Sequence, residues 1–596
     1  MNLTVSEKCD AAEDLIEKGK LEDAEFLLDQ VLESHPAEIR ALVGKSALLI
    51  KSGDLQKAKA LLQSAYERSP SDAVVQTNLA NVALLENRIN DAVVHLETAH
   101  AERSDYLPPI LLLAQIRSQS GEATEAASWL TKATKLAPGD ANVLAAGAGF
   151  LLAHQKISEA KASFEKALDV DPGHVGALAG LAQLSCLLGE FDRAGELAKR
   201  AHLLSPQDPE VAVTLAKVYL AAGAPSEAEK LMDRFKARLA DFTPVVLVCA
   251  EIAIARGQTA QALSDTAKWL RKAPNDQMRI AAFLKVLKQA GAWQEIVDMY
   301  LKLPDKTASE DMVQSLYEEA LHALGRSEEA WRSWTARRGL EAKAPTPPIV
   351  VELPERTPLL DEIVLMRFAN SWAQKDPISM VSKSPLEGIW GRLTSAAQIG
   401  RTADRRDLQD QSNELLADLA ARTCLFAPEV AAFNPYLAPS TRVAEWRNAL
   451  PSGRGPLVGV FWQERAPGLM IDHLKAAFAG KDVVPVSLQF DDARHQLRTW
   501  PEAMDAGVAL GGLEDLVDLI DCLDLIVGPD GIPLHIAGAL GRKGVALLQK
   551  NHEWYWAGTG SESIWYPSVK RVVTAIGPTW EGAADAVAAE IDALLV

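Results

Sequence analysis

The sequence predicts a fold in two parts: an α-helical superhelix of stacked helix pairs over residues 1–340, followed by an α/β domain of parallel strands. Three observations carry this. A 34-residue grid runs without insertion from Gly19 to Gly325. The grid stops near Gly339, where a proline-rich stretch begins, and beyond it short apolar runs alternate with helical segments. At 596 residues the chain is also far longer than one hydrophobic core sustains.

The grid is occupied by Gly19, Gly53, Gly121, Gly189, Gly223, Gly257, Gly291 and Gly325, with Asn87 and Gln155 at its two other positions. Five residues further on stands alanine (Ala24, Ala58, Ala92, Ala126, Ala160, Ala194, Ala228, Ala262 and Ala330), Ile296 being the exception. Proline follows twelve residues later at Pro36, Pro70, Pro138, Pro172, Pro206 and Pro274. Glycine ends the first helix of a pair because the turn there calls for positive φ. Alanine marks the close crossing of the two helices, and proline ends the second helix because it cannot continue the ladder. On these residues the segment 5–340 resembles ten tetratricopeptide repeats. The resemblance implies a right-handed superhelix whose concave groove holds another polypeptide. In the O-linked N-acetylglucosamine transferase an asparagine ladder lines that groove. The corresponding positions here read Gly44, Asn78, Leu112, Ala146, Gly180, Thr214 and Val248, which points to docking of a folded or helical surface instead.

Composition narrows the partners. With 61 basic against 80 acidic residues the net charge is −19, which argues against nucleic acid and anionic membrane as main partners. Cys9, Cys186, Cys249, Cys424 and Cys522 have neither disulfide-framework nor zinc spacing, as expected of a reduced, cytoplasmic chain. The opening MNLTVSEKCDAAEDLIEKG lacks a leader pattern, and no apolar run reaches membrane-spanning length.

Residues 341–358, EAKAPTPPIVVELPERTP, read as a linker leading into a first strand at Ile349–Leu353. Strand-like runs follow at Ile363–Phe368, Leu457–Trp462, Val483–Leu488, Leu523–Val527 and Val545–Leu548. Alternation with helical text predicts parallel sheets covered by helices. About 250 residues accommodate two Rossmann-like halves: a reduced N-terminal lobe with its crossover at 345–450, and a C-terminal lobe at 451–596.

Within the second half, GPDGIPLHIAGALG (528–541) follows a strand and opens a small-residue helix. Asp530, His535 five residues on, and Ala537-Gly538-Ala539-Leu540-Gly541 resemble the heptosyltransferase-like glycosyltransferases, as do Trp554, Trp556 and Trp565-Tyr566-Pro567. Upstream, 434–450 resembles the family's crossover, 456–464 the first strand of its second half, and 360–368 its first loop through Asp361, Ile363 and Arg367. The resemblance implies a two-Rossmann, GT-B-like, metal-independent transferase that uses a nucleotide-sugar donor. A helix N-terminus carries unpaired amides and about half a positive charge, which suits a donor phosphate. By resemblance, Gly528 and Gly531 let the backbone approach, Asp530 orients the donor, and His535 adds a hydrogen bond at the leaving group. The plainer alternative makes Asp530 an N-cap and His535 an interior histidine. Trp462 and Gln489 complete the expected donor contacts. Asp361 is the expected base, with Glu362 as its rival.

Three departures stand out. Gly531 replaces the family's threonine, Leu360 replaces its glycine, and WQERAPG (462–468) replaces a Trp-x-Gly-Asn segment, bringing Arg465 toward the donor. No metal-binding DxD stands at a strand end, since QFDD (489–492) reads as a loop. The whole architecture resembles the bipartite flagellin glycosyltransferases. That resemblance implies flagellin recruited by the repeats and pseudaminic acid transferred from a CMP-sugar to Ser/Thr, with no cofactor beyond the donor. Two other readings stay open: a non-catalytic adaptor or co-chaperone with a degenerate transferase domain, and a transferase for a lipid-linked or carbohydrate acceptor.

Overall fold

The computed structural model describes residues 4–595 apart from 18–19, 53, 121, 155, 189, 305–310, 348, 354–356, 382–383, 385, 403–413, 454, 463–468, 491, 559 and 577–579. The chain divides into two compact units, residues 1–253 with 264–272, and residues 254–263 with 273–596.

Helix pairs fill the repeat region from Val5–Glu17 with Leu21–Ser34 to Asp311–Ala323 with Ser327–Arg337. The grid alanines do what close crossing demands: Ala24, Ala58, Ala92, Ala126, Ala160, Ala194, Ala228 and Ala330 are completely buried, and Ile296 fills the same place without exposure. The described grid residues Asn87, Gly223, Gly257, Gly291 and Gly325 all have positive φ. Asparagine serves beside glycine because its short polar side chain tolerates the left-handed region.

The expected groove lining is corrected in part. A Cβ on Gly180 would enter the Phe164 ring, and one on Gly44 would press on Leu28. Val248 is fully buried, and Thr214 donates its hydroxyl to the Glu210 carbonyl at 3.0 Å. Helix-on-helix packing therefore accounts for Gly44, Gly180 and Val248, while Thr214 is tied to its own helix. Within the first unit, repeats two and three meet the start of repeat eight. The Thr243 hydroxyl donates to Asn87 Oδ1 at 3.0 Å, and Leu55 and Leu85 pack on the cluster containing Leu239 and Phe242.

The second unit holds the last repeats and two parallel sheets. The smaller sheet has the order β3-β2-β1-β4, formed by β1 (Ile349–Glu352), β2 (Ile378–Val381), β3 (Ile399–Thr402) and β4 (Glu414–Leu415). The larger has the order β10-β9-β8-β5-β6-β7, from β5 (Leu457–Val460), β6 (Val484–Ser487), β7 (Met504–Asp505), β8 (Leu525–Gly528), β9 (Gly544–Gln549) and β10 (Val569–Thr574). The chain runs β5-β6-β7 toward one edge and β8-β9-β10 toward the other, so the order reverses between β5 and β8. Ligands of such sheets bind beyond the strand C-termini at that reversal.

One expected strand is overturned. Ile363–Phe368 lies in the helix Leu359–Ala373. Ile363, Val364, Leu365, Met366 and Phe368 are all buried, so the helix is apolar on nearly every side. Burial all round erases the helical period, and the text then looks like a strand.

Candidate active site

Of the expected donor contacts, Trp462 stands just past β5, Gln489 just past β6 and Asp530 just past β8, and the Trp554–Trp556 turn stands past β9. The turn after β8 runs into the helix Ile532–Leu540, whose N-cap is Gly531 with no side-chain cap. Asp530 is therefore not the N-cap. Its carboxylate turns inward, where Oδ1 accepts from the Trp556 indole N–H at 2.8 Å and pairs with His535 Nε2 at 3.2 Å, while Oδ2 accepts from the Tyr555 hydroxyl at 3.1 Å. Burial alone would raise this carboxyl, but the bonds from His535, Trp556 and Tyr555 hold it below its ordinary value.

His535 is completely buried. Its Nδ1 faces the Tyr566 hydroxyl at 3.0 Å, Tyr566 stands 3.3 Å from the Tyr436 hydroxyl, and Tyr436 donates to the Ile363 carbonyl at 2.9 Å. The series runs from Asp530 to the helix that carries Asp361. Both ring nitrogens of His535 are thus taken up inside the protein, and it reaches the cleft only through Asp530.

Asp361 sits in the first turn of its helix and accepts from the Trp554 indole N–H at 3.1 Å. Burial pushes its carboxyl up to about 7; Glu553 and Glu319 add to the rise, and the Trp554 bond and Lys288 oppose it. Burial also raises Tyr555, with Asp530, Glu553 and Asp361 adding to it. Glu362, the rival base, points the other way: it is buried and accepts from Trp390 Nε1 at 2.5 Å, inside the lobe's core.

The glycines serve an unexpected purpose. A Cβ on Gly528 or on Gly531 would run into the ring of Phe461, which is only 7% exposed. Phe461 follows β5, so its ring packs against both glycines at the strand-order reversal. Gly531 is extended, at φ 172, so the glycine answers to that ring and not to backbone strain. Trp462 and Gln489 are buried at the sheet end, where the Trp462 backbone N–H donates to Gln489 Oε1 at 3.0 Å. Trp554 is half-buried, whereas Trp556 and Trp565 are core residues. Arg465 lies outside the described residues. Among the described residues no group of three or more His, Cys, Asp or Glu could hold a metal ion, and no helix is long and apolar enough to cross a membrane.

Sequence reasoning missed Phe461, Tyr555 and the pair Lys288–Glu553. Tyr436 and Tyr566 did stand inside the quoted motifs, where a hydroxyl between apolar neighbours was the available signal.

Comparison with known proteins bears on both parts. Residues 15–82, 49–93, 83–148, 151–201 and 187–244 match a tetratricopeptide repeat family. Residues 504–571, which include Asp530, His535 and the Trp554–Trp556 turn, match glycosyltransferase family 9 (heptosyltransferase). The protein therefore carries tetratricopeptide repeats and a glycosyltransferase family 9 domain. It is 30% identical over 210 residues to Protein FlbA of Caulobacter vibrioides, covering 32% of this chain and 34% of that one. It is 27% identical over 257 residues to cellulose synthase operon protein C of Pseudomonas fluorescens, covering 41% and 19%. The chain thus spans about a third of the first relative and a fifth of the second. Similar solved structures include a thermophilic tetratricopeptide repeat protein of Thermus thermophilus (21% identity, TM-score 0.28, 30% of this chain and 98% of that one). The Cut9–Hcn1 hetero-tetramer of APC/C is another (17%, TM-score 0.35, 46% and 55%).

Proposed function

We propose that the protein is a cytoplasmic, metal-independent GT-B-type O-glycosyltransferase that recruits flagellin through its repeats. It transfers a nonulosonic acid, pseudaminic acid, from a CMP-sugar to serine or threonine. The observation that carries the transferase reading is the pair of carboxylates, Asp361 and Asp530, bound to one turn of the family-matched segment, one held near neutrality and the other held ionised. A base must take a proton at working pH, and a carboxyl raised to about 7 is suited to that. In the proposed step the acceptor oxygen bonds to the anomeric carbon, the carbon–oxygen bond to the CMP phosphate breaks with its electron pair, and the hydroxyl proton passes to Asp361. Asp530 orients the donor, His535 holds Asp530 ionised, and Arg465 meets the donor's acidic sugar.

A second reading has an observation of its own in its favour. Phe461 packs against Gly528 and Gly531, so an aromatic ring stands beside the turn proposed for the phosphate, which suits a degenerate domain in a protein that only holds its client. Intact mass of flagellin from cells with and without this protein tests the proposal. A mass increment that requires both the protein and Asp361 supports transfer. Unchanged mass, together with flagellin retained on the purified protein, turns the reading to the adaptor.

A further inference from the structure

We propose that repeats nine and ten are a working part of the candidate active site, with Lys288 as the positioning residue that holds the Glu553–Trp556 turn against Asp361. The inference rests on the reading of Asp361 as the site's base. All the residues involved belong to the second unit.

Three sets of contacts fasten that turn from the repeat side. Lys288, on the first helix of repeat nine, reaches Glu319 Oε2 at 2.6 Å and Glu553 Oε2 at 3.3 Å. Its side chain is only 27% exposed, so this pairing is less screened than a surface ion pair. The backbone just before the turn is fixed as well. Trp293 donates its indole N–H to the Lys550 carbonyl at 2.8 Å, and a Cβ on Gly291 would stand 2.6 Å from that same oxygen. Finally His322 of repeat ten packs 5.2 Å from Trp554 and 4.7 Å from Trp331, ring centre to ring centre. Burial pushes His322 down to about 3, so the ring is a neutral wall.

The consequence for Asp361 is geometric first. Trp554 is confined between His322 and the Asp361 helix, and its N–H is thereby aimed at Oδ1. The consequence is also electrostatic. The groups around Asp361 are Trp554 and Tyr555 of the turn, Glu553 beside them, and Glu319 and Lys288 of the repeats. Lys288 is the only cation in that set, so removing it leaves three carboxyls facing one another. A purely structural contact between repeats and sheet would be indifferent to that charge.

The test uses the full chain. The ¹H–¹⁵N indole signal of Trp554, identified by its loss in Trp554→Phe, is followed through a pH titration in wild type, Lys288→Met and Lys288→Arg. Positioning by Lys288 predicts a midpoint displaced upward in Lys288→Met and restored in Lys288→Arg, with the acid limb of any transfer activity displaced alike. A midpoint unmoved in a folded Lys288→Met overturns the proposal. If Lys288→Met does not fold, Glu553→Gln serves instead: removing a carboxyl that opposes ionisation of Asp361 must displace the midpoint downward, and an unmoved midpoint again overturns it. The indole titration needs no substrate. Absence of transfer in the wild type with a displaced midpoint in Lys288→Met would therefore sink the transferase reading and leave only the coupling of Lys288 to Asp361, so the two failures are told apart.

Discussion

Asp361 and Asp530 are bound by one short turn: Trp554 donates to Asp361, while Tyr555 and Trp556 donate to Asp530. The two carboxyls are nevertheless displaced in opposite directions, because burial prevails at Asp361 and three donors prevail at Asp530. Neighbouring groups pushed apart in this way can take different roles at one pH.

Opposite pH signatures follow. For Asp361 the folded-state value lies above the unfolded one, so its stabilising contribution is full below about pH 4 and lost as the pH rises to about 7. Asp361→Asn, which keeps an acceptor for Trp554, should melt higher than wild type at about pH 8 and alike at about pH 4. For Asp530 the folded-state value is depressed, so its contribution is present above the unfolded value and lost as the pH falls through the folded one. Asp530→Asn should melt lower than wild type at neutral pH, with the gap closing in acid. Calorimetry across pH checks both, and parallel curves would refute the opposed assignments.

The ring over the glycines gives a packing prediction. Gly528→Ala should destabilise by about 1–3 kcal/mol, the usual cost of overpacking, and Phe461→Ala in the same chain should recover part of it. Phe461→Ala alone clears the space at the strand-order reversal. If that space is a donor site, CMP should raise the melting temperature of Phe461→Ala more than that of wild type, and more than UDP, GDP or ADP does. No nucleotide effect in either protein favours the adaptor.

How much of this was legible beforehand depended on whether a residue answers to its neighbours in sequence or in space. The repeats were legible because glycine, alanine and proline each meet a local demand, and the grid alanines are buried as that demand requires. The strands at 349, 457, 484, 525 and 544 were legible as short apolar runs. The helix Leu359–Ala373 was not, because burial on nearly all sides removed its period. That Gly528 and Gly531 make room for the Phe461 ring could not be read locally, because the ring comes from another strand end. Lys288 and Glu553 stand 265 residues apart, and nothing local marks either.

Removing Asp530 strands three donors: the Trp556 indole, the Tyr555 hydroxyl and His535. Each buried group left without an acceptor costs about 1–3 kcal/mol, so Asp530→Ala should fall well below wild type in stability. His535→Ala removes a partner of both Asp530 and the Tyr566 hydroxyl and empties a fully buried place among three aromatic rings, so it should destabilise as well. If transfer is observed, both should lower it, by about 10²–10³ for the lost electrostatic contact, with flagellin retention by the repeats unchanged. Wild-type activity in both mutants would reduce this network to a structural one.

Cutting the chain at 340 divides the second unit. It separates Trp334, which donates to Asp418 Oδ1 at 2.9 Å, and Arg338, 3.2 Å from the same carboxylate, from their partner. Residues 341–596 alone should therefore unfold without a cooperative transition, whereas 273–596 should melt cooperatively and 1–253 should keep its helical circular dichroism. A sharp transition for 341–596 would show that the last repeats are dispensable to the sheets.

The position of the division, between 253 and 273, bears on how such a gene can change. Duplicating or deleting one 34-residue repeat upstream lengthens or shortens the repeat array by a whole step and leaves the contacts of Lys288, Gly291 and His322 within the second unit as they are. The same event across 273–340 would draw Gly291 away from the Lys550 carbonyl it fits. Copy-number variation should accordingly collect upstream of 253, where a repeat gained or lost leaves the packing of the last repeats on the sheets intact.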